Sequence, residues 1–181
     1  MGETYDIYDE NNNPTGIESN YQEIHSKGLW HRTVHLWVFN DKKILLSKRS
    51  MSISFPGKWD MSSGGHVTAG EDEFTSITRE ALEEIGLELK RDELRLGFTH
   101  RSKTGYDNFK NNEHSYVFFH RTEKDLEQFR PDNKETTDII FMDIGEFIEK
   151  MRERTFRDNF IPIGETYLKK VLEQIEKMSL K

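Results

Sequence analysis

Three glutamates at helical spacing carry the clearest chemical signal in the sequence. Glu83 and Glu84 follow Glu80 by three and four residues, so on a helix all three occupy one face. Carboxylates this close repel one another, and a divalent cation converts the repulsion into coordination. Mg²⁺ and Mn²⁺ prefer such oxygen ligands and also bridge to substrate phosphates. The spacing therefore indicates a metal site for a phosphorylated ligand, although these three residues alone are more often a solvated helix face.

Residues around the three glutamates can support such a site. Arg79 can pair with Glu83 one turn on or with Glu71 in the preceding loop, and such a pair would be structural. Gly64 and Gly65 let the backbone approach closely, so a carbonyl oxygen there can complete a metal shell. The sequence has no Gly-Lys-Ser/Thr phosphate loop, no His-Glu-x-x-His helix and no Gly-x-Ser-x-Gly elbow, which removes three common alternatives.

The wider pattern around the glutamates is far more specific. Starting at Gly65 the chain reads Gly, five residues, Glu, seven residues, Arg-Glu, apolar, any residue, Glu-Glu, any residue, Gly, apolar. This segment resembles the Nudix box at every fixed charged and glycine position, with Ala81 in a slot that usually holds Ile, Leu or Val. On this resemblance the chain is identified as a member of the Nudix hydrolases, which are also called MutT-like.

Membership of this family implies both a fold and a chemistry. The implied fold is α+β: a mixed β-sheet sandwiched between helices, in which the box forms a loop, a helix and a loop. The implied reaction is Mg²⁺- or Mn²⁺-dependent cleavage of a diphosphate linked to another moiety. The residues implied by the resemblance are Gly64 (through its carbonyl), Glu80, Glu83 and Glu84 as metal ligands, Glu80 or Glu113 as the general base, and Glu71 with Arg79 as a supporting pair.

The flanks resemble one branch in particular, isopentenyl-diphosphate isomerase and its hydrolase-like relatives. The resemblance extends over about residues 5–141 and includes a Phe-Pro-Gly-x-Trp loop and the Gly65-His66 pair. In the isomerase, histidines and glutamates at such places bind a metal. The matching positions imply a second site for a transition metal at His31, His66 and Glu113, with His25 one residue out of register. Basic residues before and within the loop, Arg49 and Lys58, are expected to bind the substrate phosphates.

Two departures from the isomerase pattern favour a hydrolase. The isomerase uses a catalytic cysteine just before its Gly-His pair, whereas Gly64 holds that position here and the chain contains no cysteine. The isomerase also breaks the box on its helix, and the box is complete here. The sequence thus predicts a hydrolase of a small organic diphosphate, such as a nucleoside diphosphate derivative. An isomerase-like enzyme and a non-catalytic nucleotide-binding module are the alternatives.

Periodicity and turn signals predict the elements that position these residues. Alternating and β-rich segments predict a hairpin within residues 5–17 and strands at 33–39, 43–48, 94–100, 115–120 and 138–142. Apolar residues at three- and four-residue steps predict helices at 73–85, 144–151 and 164–178. A polar stretch at 18–28, a loop at 103–112 and a connection at 155–163, whose pattern fits neither a helix nor a strand, lie between them. Substrate specificity is expected to come from the loop at 103–112 and the connection at 155–163, which carry no readable signature.

Composition bounds the remaining possibilities. A chain of 181 residues predicts a single domain over 1–181, with an N-terminal hairpin and lead-in at 1–28 and a C-terminal helical segment at 144–181. The net charge of −7 disfavours a nucleic acid polymer but permits a small phosphorylated partner. No apolar run or signal-peptide pattern is present, so a cytoplasmic location without membrane contact is expected. The C-terminal helix could support a homodimer.

Overall fold

Strands and helices alternate irregularly along residues 2–106 and 108–179, which are the residues that the computed structural model describes. In chain order the elements are β1 (Thr4–Tyr8), β2 (Pro14–Asn20), α1 (Tyr21–Lys27), β3 (Trp30–Phe39), β4 (Lys43–Arg49), β5 (Trp59–Asp60), β6 (Ser63–His66), α2 (Glu73–Ile85), β7 (Arg95–Tyr106), β8 (Phe109–Arg121), β9 (Thr136–Asp143), α3 (Ile144–Arg152), α4 (Arg154–Asp158) and α5 (Glu165–Ser179). The strands join one mixed sheet.

Strand β3 organises the sheet. It pairs in parallel with β8 along its whole length and antiparallel with β6, so that Thr33 lies opposite both Ser115 and His66. Strand β7 extends the sheet beyond β8. Strands β9 and β5 both pair with β4, and β1 connects the N-terminal hairpin to the start of β3. The strands on either side of β3 therefore bring segments distant in sequence next to one another.

Helices cover both faces of the sheet. Alternate residues of β3 point to opposite faces, and the two main hydrophobic clusters divide in that way. Val34, Leu36 and Val38 pack in a cluster with residues of α2, and we call this side the α2 face. Trp37 and Phe39 pack with residues of α3 and α5, and we call this side the α5 face. The predicted α+β sandwich, with its N-terminal hairpin and C-terminal helix, is confirmed.

The polar stretch at 18–28 contains a helix that the sequence analysis missed. Helix α1 begins after Asn20, whose side-chain oxygen accepts a hydrogen bond from the Glu23 N–H at 3.0 Å. It ends at Gly28, which adopts the left-handed conformation with φ of 71°. Only Ile24 and His25 of α1 are buried. A helix this short with so few apolar positions gives no periodic signal, and its caps were the available sign.

The loop predicted at 103–112 is wrong. Strands β7 and β8 form a long hairpin in which pairing continues to Tyr106 and Phe109, while Asp107 lies outside the described residues. Polar cross-strand pairs such as Ser102 with Glu113 and Lys103 with Asn112 extend it. Because these residues are polar on both faces, the alternation that predicts a strand is missing. The segment 155–163 contains the short helix α4.

The described residues include no helix that is both long enough and apolar enough to cross a membrane.

Candidate active site

Helix α2 carries the box glutamates and is defined at both ends. The carboxylate of Asp72 accepts a hydrogen bond from the Thr75 N–H at 2.7 Å and caps the N-terminus. Gly86 ends the helix in the left-handed conformation, with φ of 66°. The buried apolar stripe that packs on the sheet consists of Ile77, Ala81 and Ile85. This packing brings the neighbouring positions Glu80 and Glu84 against strand β6.

Two glutamates meet the double glycine of β6. A methyl group on Gly65 would lie 2.3 Å from Oε1 of Glu80, so the Glu80 carboxylate occupies the space that any other residue would need at position 65. The Gly64 N–H donates a hydrogen bond to Oε2 of Glu84 at 3.1 Å. Both carboxylates therefore lie against the backbone whose carbonyl at Gly64 the sequence analysis named as a metal ligand.

The third glutamate points outward. The side chain of Glu83 is 59% exposed, whereas that of Glu80 is 14% exposed. Arg79 links the group: its guanidinium lies 2.9 Å from Glu80, 3.3 Å from Glu83 and 3.3 Å from Glu71. The predicted contact between Arg79 and Glu71 is thus present, and Arg79 also holds the Glu80 carboxylate in place against the strand.

Burial sets the protonation of the inner carboxyls. It raises the pKa of Glu80 to about 7, against the opposing effect of the Arg79 guanidinium. It raises the pKa of Glu84 to about 8, since Glu84 is nearly fully buried and lies near the charge of Glu80. Without a cation both carboxyls thus titrate near neutral pH. Two such carboxyls side by side have the chemistry of a site that a divalent cation would complete.

A small polar cleft adjoins Glu84. Its lining includes Ser63, Asp60 and Glu135, none of which the sequence analysis named. Asp60 directly follows Trp59, the last residue of the Phe-Pro-Gly-x-Trp loop. Its place beside that loop was a signal that could have identified it as a site residue. Glu135 lies just before β9 in an irregular segment, and no local pattern pointed to it.

One of the two predicted phosphate-binding residues lies at this cleft. Arg49 lines it, but its guanidinium contacts Asp60 at 2.6 Å and also donates to the carbonyl and the hydroxyl of Ser54 at 2.6 and 3.0 Å. These contacts hold the loop after β4. Lys58 lies in the same loop, with its Nζ 6.0 Å from the centre of the Phe55 ring. A substrate role for either residue stays a prediction.

A second constellation lies around the N-terminal helix. His25 of α1, His31 of β3 and His66 of β6 have ring nitrogens within 4.8 Å of one another, and we call them the histidine cluster. The Nε2 atoms of His25 and His66 are 3.3 Å apart. The sequence analysis placed His31, His66 and Glu113 together and left His25 out of register. The structure brings His25 in, because α1 turns its side chain toward the sheet, while Glu113 lies 3.9 Å from His31 Nε2.

Hydrogen bonds determine which ring nitrogens of the cluster face inward. His31 Nδ1 lies 3.0 Å from the Leu29 carbonyl and His25 Nδ1 lies 3.2 Å from the Lys110 carbonyl. A carbonyl only accepts, so both rings carry the proton on Nδ1 and keep a lone pair on Nε2. His31 Nε2 is buried without a hydrogen-bond partner among the described residues. Burial lowers the pKa of His31 to about 4 and also lowers the pKa of His66, so both are neutral.

The box carboxylates and the histidine cluster lie on opposite faces of one strand. Gly65 pairs with Val34 and faces Glu80 on the α2 face, whereas His66 pairs with Thr33 and faces the other way. Glu113 lies opposite His31 in the register of β3 and β8, on the α5 face. The structure therefore groups the predicted residues into two sets, and Glu113 belongs with the histidines.

A mixed sheet between helix layers, with a loop, helix and loop that present glutamates to a glycine strand, defines the Nudix architecture. Residues 29–162 match the NUDIX domain family. The chain belongs to that family.

Relatives from two groups share its sequence. It is 36% identical over 121 residues to Nudix hydrolase 3 of Arabidopsis thaliana, a match that covers 64% of this chain but only 16% of that protein. It is 30% identical over 148 residues to an isopentenyl-diphosphate Δ-isomerase of Pectobacterium atrosepticum, covering 80% of this chain and 79% of the isomerase. The chain thus lies in a Nudix branch near the isomerases, as the flanks indicated.

The fold also matches solved structures. A crystal structure of a Deinococcus radiodurans protein superposes with a TM-score of 0.68 at 17% identity, over 97% of this chain and 98% of that one. At this identity the match supports the fold alone.

Proposed function

We propose that the protein is a metal-dependent hydrolase that cleaves the diphosphate linkage of a small organic diphosphate, such as a nucleoside diphosphate derivative. The observation that carries the proposal is the meeting of Glu80 and Glu84 with the backbone of Gly64 and Gly65. Two buried carboxylates with raised pKa values, held against two glycines that have no side chains to exclude a ligand, form a cation site rather than a solvated face.

The donor set fits Mg²⁺ or Mn²⁺. Glu80 and Glu84 supply buried carboxylate oxygens, and Gly64 supplies a carbonyl. The exposed side chain of Glu83 can rotate toward a ligand, because among the described residues Arg79 is its one ion-pair partner. All of these are hard oxygen donors. When bound, such a cation neutralises charge on the diphosphate and makes the attacking water more acidic.

The residues of the chain have separate roles in this proposal. Arg79, anchored by Glu71, keeps the Glu80 carboxylate against Gly65. Glu80 is the favoured general base of the two carboxylates considered, since it lies with Glu84 at the double glycine and a carboxylate placed there can accept a proton from the attacking water. Glu113, the other base considered, lies on the α5 face beside His31. We therefore assign it to the surroundings of the histidine cluster.

The histidine cluster is proposed as a second, separate metal site. Imidazole nitrogens suit a transition metal such as zinc or manganese better than Mg²⁺. His25 and His31 are oriented by carbonyls that fix their protons on Nδ1, which is the usual arrangement for a ligating histidine. Its distance from the box, across strand β6, makes a structural or substrate-positioning role more consistent than a direct role in hydrolysis.

Isomerase activity is less consistent with the structure, despite the isomerase-named relatives. A Cβ on Gly64 would lie 2.8 Å from the carbonyl oxygen of Val34, so the backbone leaves no room for a cysteine at this position without a shift. The chain contains no cysteine, so no thiol elsewhere can take the place of the isomerase cysteine. Incubation with isopentenyl diphosphate tests this alternative, and formation of the dimethylallyl isomer would support it.

A phosphate-release screen tests the proposal. Nucleoside diphosphates, nucleotide sugars, dinucleoside polyphosphates and prenyl diphosphates are incubated with the protein and Mg²⁺ or Mn²⁺, followed by a phosphatase to release phosphate from the products. We expect turnover of at least one class that stops when EDTA is added. Binding of these compounds without any turnover would instead support a non-catalytic nucleotide-binding module.

A further inference from the structure

A row of polar side chains crosses the α5 face of the sheet beside the histidine cluster. The registers of β3, β8 and β7 place Thr33 opposite Ser115, Ser115 opposite His100, and Glu113 opposite Ser102. We call the following residues the polar row: Thr33, His35, His100, Ser102, Asn111, Glu113 and Ser115. The Thr33 hydroxyl donates to the Ser115 hydroxyl at 2.9 Å, and Ser102 and Asn111 interact with the Glu113 carboxyl. These contacts confirm that the members share one face.

The helix layer covers only part of this face. Trp37, Val117 and Phe119, which continue the same strands, are buried in the cluster with α5. His35, His100, Ser102 and Glu113 are instead partly exposed. Part of the polar row is therefore accessible to solvent between Tyr167 at the start of α5, which contacts His100, and the histidine cluster.

Several groups in or beside the polar row can form hydrogen bonds with a ligand. Trp37 Nε1 donates to the Tyr167 hydroxyl at 3.1 Å, and that hydroxyl lies 2.8 Å from His35 Nδ1. The Tyr167 hydroxyl can donate its own proton to His35 Nδ1, and in that tautomer the His35 proton is on Nε2, where it can be donated to a ligand. Asn111 Oδ1 is a buried acceptor without a partner among the described residues. The described residues offer the His100 ring a contact with Tyr167 and no hydrogen bond.

The polar row adjoins the proposed reaction centre. His35 lies opposite Gly64 in the register of β3 and β6, and Gly64 is the residue whose carbonyl we assign to the metal. Gly64 and Gly65 place no side chains of their own between the box and this face, and Glu80 lies on the α2 side of Gly65. The organic group attached to the diphosphate can therefore rest on the polar row.

We propose that the polar row binds the organic group of the substrate, that this group is a sugar or another polyhydroxylated moiety, and that His100 and Ser102 determine specificity. The inference rests on the proposed hydrolase function and names its substrate class. A hydroxyl both donates and accepts, so it satisfies histidine, serine and amide groups together. A prenyl chain would bury the same groups without partners, which is strongly unfavourable.

Two variants and one control test the inference. His100→Leu and Ser102→Ala remove polar atoms from the row, while Thr99→Val removes a hydroxyl from the opposite face of the same strand. The probes are ADP-ribose and isopentenyl diphosphate. We expect wild-type protein to prefer ADP-ribose, and each variant to raise its KM about fivefold or more with little change in kcat. Thr99→Val should leave both constants unchanged.

Equilibrium binding separates this inference from the hydrolase proposal. Titration of each protein with both probes in Ca²⁺, in place of Mg²⁺, reports binding whether or not hydrolysis occurs. Weaker ADP-ribose binding in His100→Leu and Ser102→Ala upholds the inference even where no turnover is found. Tighter binding of isopentenyl diphosphate by the wild type, or equal weakening of both probes in the variants, would overturn it. If His100→Leu fails to fold by circular dichroism, Ser102→Ala decides alone.

Discussion

Gly65 and Glu80 approach so closely that a methyl group on the glycine would lie 2.3 Å from the carboxylate oxygen. Gly65 has no left-handed φ, so its backbone conformation does not require glycine. The reason for glycine here is the carboxylate that lies against it. The glycine and the glutamate are fifteen positions apart in the box, and the close contact between them explains why position 65 must lack a side chain.

Replacing Gly65 by alanine should therefore damage the site more than the fold. Gly65→Ala forces the Glu80 carboxylate away from the strand, and a displacement of about 1 Å at a reacting group lowers kcat on the order of 100-fold. Overpacking of this kind costs about 1–3 kcal/mol of the unfolding free energy. Gly164→Ala is the control, since a methyl group there meets nothing within 4 Å. Equal kcat values in wild type and Gly65→Ala would refute this reading of the contact.

The raised pKa values of the inner carboxyls predict how metal-free stability depends on pH. The folded protein holds the protons of Glu80 and Glu84 up to pKa values of about 7 and about 8, whereas the reference value is 4.5. The stabilisation from these groups is therefore complete below the unfolded pKa and is lost as pH rises through the folded values. In EDTA, Tm of the wild type should fall more steeply between about pH 5 and pH 8.5 than Tm of Glu84→Gln.

The comparison with Glu84→Gln isolates this effect. Buried histidines with lowered pKa values, such as His31 and His66, act in the opposite direction and destabilise the fold as pH falls below about 6.5. Both proteins share these histidines, so their contribution cancels in the difference. Parallel Tm profiles for the two proteins would show that Glu84 is not protonated in the folded state.

The histidine cluster should bind a transition metal independently of the box. Titration of the metal-free protein with Co²⁺ should produce visible absorption bands, and His66→Gln should weaken this binding about 10- to 100-fold. Glu84→Gln should leave it unchanged, because Glu84 lies on the opposite face of the sheet. His100→Gln, outside the cluster, is the matched histidine control. Loss of the bands in Glu84→Gln, or an unchanged Co²⁺ affinity in His66→Gln, would contradict the assignment of two sites.

Much of this arrangement could be predicted from the sequence, and the exceptions have physical causes. Helix α2 has the predicted bounds because its apolar stripe, its Asp72 cap and its terminal Gly86 agree with one another. Interactions between strands distant in sequence could not be predicted in the same way. His25 joins His31 and His66 only because α1, β3 and β6 converge, and α1 itself is too short and too polar to show periodicity.

The assignment of residues to faces was also beyond the sequence. The resemblance implied Glu113 both as a base and as a metal ligand, and only the register of β3 with β8 places it beside His31. Arg49 resembled a phosphate-binding residue, yet its guanidinium is engaged with Asp60 and Ser54. The polar row combines two or three residues from each of three strands, and their placement on one face follows from the strand registers rather than from any local pattern.

The central claim is that Glu84 takes part in a divalent-cation site that drives diphosphate hydrolysis. The most direct measurement compares kcat/KM of wild type, Glu84→Gln and Glu88→Gln in matched Mg²⁺ on the substrate class found by the phosphate-release screen. Glu88 is an exposed glutamate just beyond the helix, so its variant controls for the loss of one charge. We predict a loss of about 100-fold or more for Glu84→Gln with a folded protein, and wild-type turnover for Glu88→Gln. Comparable turnover in all three would contradict the account.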